Sequence, residues 1–172
     1  MGVAWGITGA GHFLKECVDL IAELGDVDVF LSRAAEEVLR MYRLEEDLGR
    51  AARAVVRDTL ASTPVVGRFA RPRYRVLVIA PATSNSVAKF VQGISDSLIT
   101  NLFAHAGKNR VPIIVLPTDL VPEADTVTPD GRVVKVYPRA IDLQNTARLR
   151  DFPNVTVVEH IEDLRKCLNT CS

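Results

Sequence analysis

The chain has 172 residues, 48% of them hydrophobic, with 21 basic and 21 acidic side chains and no formal net charge. That length supports one domain with a sizeable core and no need of disulfide or metal staples. The neutral balance, without a Lys/Arg run, argues against nucleic acid as a partner, and no stretch approaches the ~20 apolar residues of a membrane span. The start, Met1-Gly2-Val3-Ala4-Trp5-Gly6-Ile7, has neither the basic flank nor the long apolar run of a secretion signal. Cys17, Cys167 and Cys171 lack Cys-x-x-Cys spacing, so the expectation is a reducing cytoplasm and no metal site.

In chain order, Val3 to Ile7 reads as a buried strand ending in Thr8-Gly9-Ala10-Gly11. Helical spacing of Phe13, Cys17, Leu20, Ile21 and Leu24 predicts a helix from His12 to Leu24, closed by Gly25-Asp26. Val27 to Leu31 is a second strand, and Ser32 is a good cap for the helix that follows. Glu45 to Leu60, rich in Ala and Arg, predicts another helix, broken by Ser62-Thr63-Pro64; Val65 to Arg73 reads as an ordered loop. Arg75 to Ala80 is apolar on both faces and so a central parallel strand. Helices over Ser84 to Gln92 and Ile94 to Ala106 flank Gly93, and Val111 to Leu116 is a fourth strand. Residues 126–137 predict a β-hairpin around Asp130-Gly131. A short strand at Val155 to Val158 and a helix from His160 to Leu168 complete the chain. The alternation predicts a three-layer, doubly wound parallel α/β sheet of flavodoxin-like (Rossmann-like) type, with the hairpin as an excursion.

Ligands in such sheets bind beyond the carboxyl ends of the strands. Those ends carry Thr8-Gly9-Ala10-Gly11, Ser32, Pro81-Ala82-Thr83-Ser84-Asn85-Ser86 and Pro117-Thr118-Asp119. Gly9 and Gly11 let backbone N–H groups approach a phosphate, and the helix expected near His12 adds its positive end. The loop lacks the Gly-x-Gly-x-x-Gly dinucleotide pattern, since Leu14 stands at the third glycine, and no Gly-Lys-Ser/Thr follows. Ser32 is either an ordinary cap or a hydroxyl donor to the same phosphate. Thr83, Ser84, Asn85 and Ser86 offer hydroxyls and an amide suited to a flavin's pyrimidine edge. Asp96, beside the Gly93 break, either binds ligand or caps the resumed helix.

These residues resemble the flavoprotein superfamily that includes phosphopantothenoylcysteine decarboxylase, lantibiotic peptide decarboxylases and flavin prenyltransferases. The resemblance lies in Thr8-Gly9-Ala10-Gly11, Leu31-Ser32, Pro81 to Lys89 and Gly93 to Thr100. It implies bound FMN and a trimer with flavin near a subunit boundary, with Thr8 to Gly11, Ser32, Ala82 to Ser86, Asp96 and Thr118 as its contacts. Departures argue against decarboxylation and prenyl transfer. Thr63 to Arg75 holds no His, no Cys lies between Cys17 and Cys167, and Thr118 stands where the prenyltransferases carry Arg.

Further similarity, to the archaeoflavoprotein and dihydromethanopterin reductase branch, rests on Trp5 to Gly11, Thr63-Pro64-Val65-Val66-Gly67 and Arg139 to Asn145. It implies hydride transfer through flavin N5 to dihydromethanopterin, with NAD(P)H or a ferredoxin-like protein as electron donor. The alternative is an electron carrier that exchanges electrons with ferredoxin. Asp119, Asp142 and Asn145 are candidate pterin contacts, each more readily read as a turn or cap residue. Flavin N5 carries the hydride, so neither a nucleophile nor a metal is needed, and the catalytic residues stay unassigned.

Overall fold

The computed structural model describes residues 2–59, 67–70 and 73–170. The Ser62-Thr63-Pro64 break, the Thr63–Val66 part of the family match and Cys171 lie outside them. A six-stranded, all-parallel sheet runs in the order β3-β2-β1-β4-β5-β8. Its strands are β1 (Gly2–Ile7), β2 (Val27–Leu31), β3 (Ala54–Arg57), β4 (Tyr74–Ala82), β5 (Ile113–Pro117) and β8 (Val155–Val157). Without the short edge strand β3, the remaining order is that of flavodoxin-like sheets.

One face of the sheet packs Trp5, Ile7, Val29, Val76 and Val78 against α1 (Leu14–Leu24), α2 (Arg33–Met41), α3 (Glu45–Ala51) and α7 (Ile161–Thr170). The other packs Phe30, Leu77, Ile79 and Val115 against α4 (Ser84–Gln92), α5 (Leu98–Lys108) and α6 (Ala140–Leu149). Two apolar faces explain why β1 and β4 read as continuous hydrophobic runs rather than alternating ones. Cys17 is fully buried, and burial pushes its thiol up, so it is an unreactive packing residue. The Trp5 indole donates to the Ala80 carbonyl at 2.7 Å inside the core, linking β1 to β4.

The element predictions hold with several changes; among them, the helix expected from Ile94 begins only at Leu98, and Gly67–Ala70, inside the stretch read as a loop, forms a 3-10 turn. The helix placed over Glu45 to Leu60 stops at Ala51, and Ala54–Arg57 becomes β3, paired with β2. Ala and Arg favour helix in isolation, but β2 offers Val55 and Val56 an open ladder, and β-branched side chains suit a strand. Helix α1 starts at Leu14 rather than His12, because the Leu14 N–H closes a turn on the Gly11 carbonyl. Residues 140–149, unassigned from sequence, form α6, whose buried stripe is Asp142, Asn145, Thr146 and Leu149. Three polar residues in that stripe mask the apolar periodicity that marks a helix.

The hairpin forms as expected from β6 (Ala124–Val127) and β7 (Val133–Val136), with Gly131 at φ 84° in the turn. It is tied down by the Tyr42 hydroxyl, which donates to the Val127 carbonyl at 2.7 Å. No helix among the described residues is long and apolar enough to cross a membrane.

Candidate functional site

Parallel connections send α1, α2 and α3 to one face of the sheet and α4 and α5 to the other. The switch falls between the adjacent strands β1 and β4, where such sheets open a crevice. A cleft of about 530 Å³ lies there, lined by segments from four strand ends and the loop before α5. That volume suits a small organic ligand.

Thr8 fastens the two central strand ends together. Its hydroxyl donates to the Pro81 carbonyl at 2.8 Å and accepts the Thr83 N–H at 2.8 Å, while its own N–H reaches Pro81 at 3.2 Å. Gly9 follows, and a Cβ there would lie 2.5 Å from the Ala34 Cβ. Only glycine lets the first loop rest against the first turn of α2. Gly9→Ala is therefore expected to push this turn away and cost about 1–3 kcal/mol of stability, as overpacking does, measurable by denaturant melts. Gly11 is likewise needed, because a Cβ would fall on the Tyr42 ring.

Three helices begin at the cleft, each with a hydroxyl cap. Ser32 accepts the Ala35 N–H at 3.1 Å, Thr83 accepts the Ser86 N–H at 3.3 Å, and Ser97 and Thr100 form a reciprocal capping box. Each cap leaves the earliest N–H groups of its helix without intrahelical acceptors, and each helix start carries partial positive charge. Arg33 lines the cleft at the first position of α2. Asp58, carried there by β3, accepts the Leu98 N–H at 3.2 Å and so anchors the start of α5. Lys89 and Asp96 form an ion pair within the lining, with both carboxylate oxygens 2.7–2.8 Å from Nζ.

Of the residues singled out from sequence, Thr8, Gly9, Ser32, Thr83, Ser84, Asn85, Ser86 and Asp96 line this cleft. Ala10, Gly11, Ala82 and Thr118 do not. Gly11 is packed by Tyr42, Ala82 is buried in β4, and the Thr118 N–H binds the Ala82 carbonyl at 3.0 Å. The helix start that lines the cleft is that of α2 rather than that of α1, which begins beyond the Gly11 turn. Asp96 does not cap α5; Ser97 does.

The three pterin-contact candidates sit elsewhere. Asp142 is gripped by Arg139 through its backbone N–H at 3.1 Å and two guanidinium bonds at 2.8 Å, which hold the carboxyl below the usual range. Asn145 is buried with an Oδ1 that has no partner among the described residues. Asp119 supports α6, its carbonyl accepting the Thr146 hydroxyl at 3.0 Å. The His12 ring lies against Phe13 at a 49° tilt, and burial lowers its pKa against the opposing pull of Glu16 and Asp119.

Arg33, Ala34 and Asp58 complete the lining without having been singled out, while Lys89, Ser97 and Thr100 lie in the segments Pro81 to Lys89 and Gly93 to Thr100 that carried the family resemblance. Ser97, just ahead of the apolar pair Leu98-Ile99, carried a helix-start signal; Asp58 was hidden by reading β3 as helix. Among the described residues, no group of three His, Cys, Asp or Glu is placed to hold a metal.

This donor set defines a site for an organic phosphate carrying a polar planar head. Three capped helix starts and a set of hydroxyls line the cleft, and its charged side chains, Arg33 and Lys89 against Asp58 and Asp96, balance in sign. Consistent with that class, a family model described as Flavoprotein matches residues 1–171, and the chain belongs to that family.

A protein of Methanosarcina mazei named dihydromethanopterin reductase (acceptor) is 43% identical over 164 residues, covering 88% of this chain and 65% of that protein. The chain thus spans about two thirds of that relative's length. The crystal structure of Burkholderia xenovorans DmrB in complex with FMN, described as a cubic protein cage for redox transfer, is 42% identical with a TM-score of 0.88. The match covers 98% of this chain and 93% of DmrB. Phenylacrylic acid decarboxylase of Aquifex aeolicus shares the fold at 21% identity, with a TM-score of 0.69 over 99% of this chain and 96% of that one.

Proposed function

We propose that the chain is a single FMN-binding domain over residues 1–172 and an FMN-dependent reductase that converts dihydromethanopterin to tetrahydromethanopterin. The observation that carries the cofactor assignment is the convergence of three capped helix starts and the Thr8-Gly9 turn on one cleft at the β1/β4 switch point. The residues fit the group. The turn at Gly9 and the start of α2, with Ser32 and Arg33, would hold the phosphate; the hydroxyls and amide of Thr83 to Ser86, with Ser97 and Thr100, would hold the polar ring edge. Bound FMN supplies hydride chemistry at N5, so the protein needs neither nucleophile nor metal. Its own residues have three tasks: to anchor the tail, to align the ring and to keep the Thr8–Pro81–Thr83 hinge rigid. The identity to a dihydromethanopterin reductase supports the pterin as substrate.

Asp119, Asp142 and Asn145 remain the proposed pterin-side residues, and NAD(P)H or a ferredoxin-like protein the proposed donor. We also propose a cytoplasmic homo-oligomer, a trimer or an assembly of trimers. Support comes from the exposed apolar hairpin, where Val133 and Tyr137 are 67% and 66% accessible. Anaerobic mixing of the photoreduced holoprotein with dihydromethanopterin tests the activity. Flavin reoxidation with one pterin reduced per flavin is the expected result; a stable reduced spectrum over hours contradicts it.

A further inference from the structure

The cleft holds one ammonium. Lys89 sits on α4 one turn beyond Asn85 and Ser86, on the helix face that those residues share with it (i, i+3 and i, i+4 spacing). Its Nζ binds both oxygens of Asp96, whose side chain is 53% accessible while that of Lys89 is 27%. Asp96 has other support, since it precedes the cap of α5, where helix polarity favours an anion. The ammonium is therefore not consumed in holding Asp96. The pair instead fixes a cation in the cleft wall beside the segment that meets the ring.

Resting on the FMN reading above, we infer that Lys89 sets the reduction potential of the bound flavin, with Asp96 positioning and partly neutralising it. Reduction by two electrons and one proton leaves the ring system with one more negative charge than the oxidised form. A cation held in the cleft wall favours that anion by Coulomb attraction, which water screens less inside a cleft than in bulk. Arg33 and the three helix starts act in the same sense, while Asp96 and Asp58 oppose it. Lys89 is thus a positioning and tuning residue: it biases the reduced state over the oxidised one without having to contact the substrate.

The test is an equilibrium dithionite titration, against a reference dye, of FMN bound to the full chain and to the Lys89→Met, Lys89→Arg and Asp96→Asn variants. Lys89→Met should bind reduced FMN about tenfold less tightly relative to oxidised FMN, a fall of about 30 mV for a two-electron couple. Lys89→Arg should restore the wild-type value, and Asp96→Asn should shift the potential upward. The pair sits at the cleft wall, with Lys89 27% and Asp96 53% accessible, and bonds no core residue, so its loss should cost the fold little; should Lys89→Met not fold, the upward shift in Asp96→Asn carries the test. Unchanged potentials in Lys89→Met and Asp96→Asn, with FMN still bound, overturn this inference alone. Failure of the wild-type chain to take up FMN removes the cofactor assignment and this inference with it.

Discussion

Thr8→Val should lower FMN affinity by more than tenfold and destabilise the protein by about 1–3 kcal/mol, the range for a buried polar group left unpaired. The substitution keeps the shape of the side chain and removes its hydroxyl. The Thr83 N–H then loses its acceptor at 2.8 Å, and Pro81 loses a donor, in a region where Thr8 is only 2% accessible. The consequence reaches beyond stability, because Thr83 is the cap of α4 and Thr8 adjoins Gly9. One hydroxyl thus sets the spacing between the loop proposed to hold phosphate and the loop proposed to hold the ring. Isothermal titration with FMN, paired with urea melts, separates the two effects. Thr8→Ser, which keeps the hydroxyl, should recover most of the affinity.

The second large effect lies at the opposite end of the sheet. Asp28 is fully buried in β2, level with Ala4 in β1. Burial alone would push its carboxyl up, but Arg53 at 2.8 Å, Tyr74 at 2.6 Å and Arg73 at 3.2 Å outweigh it and hold the value to about 2. An unfolded Asp titrates near ~3.9. The folded value is the lower one, so the stabilisation is complete above about pH 4 and is lost as pH falls toward 2. At 1.36 kcal/mol per pKa unit the contribution is about 2–3 kcal/mol. Asp28→Asn should lower stability at pH 7 by about that amount and flatten the acid limb of the stability curve between roughly pH 4 and 2. Melting temperatures across pH 2–7 check both features. A variant whose curve ran parallel to that of the wild type would show that the Arg53–Asp28–Arg73 cluster is energetically idle.

Much of this architecture was legible from periodicity and punctuation. Runs such as Arg75 to Ala80 could only be central parallel strands, and Gly25, Gly93 and Asp130-Gly131 fell at turns, as their positive φ angles demand. The rim residues followed from the same logic, because in a doubly wound sheet every strand ends on one side. The failures have physical causes. Strand β3 is four residues long and draws its stability from β2, a partner invisible to local propensity. Helix α6 buries Asp142, Asn145 and Thr146, so its inward face reads as polar.

The wall opposite Thr83 could not be read locally either. Asp58 and Leu98 meet only because β3 and α5 converge in space, 40 residues apart in sequence. The loop Thr8-Gly9-Ala10-Gly11 divides its residues between two tasks: Thr8 and Gly9 line the cleft. Gly11 serves Tyr42 packing and, through Tyr42, the hairpin, rather than the cleft.

The phosphate grip is best tested by comparing FMN with riboflavin, which has the same ring and ribityl chain but no phosphate. Fluorescence quenching titrations of the apoprotein should give one FMN per chain and riboflavin binding weaker by at least a hundredfold, about 2.7 kcal/mol. Equal affinity for the two, or no uptake of either, would contradict the assignment of the switch-point cleft to a flavin phosphate.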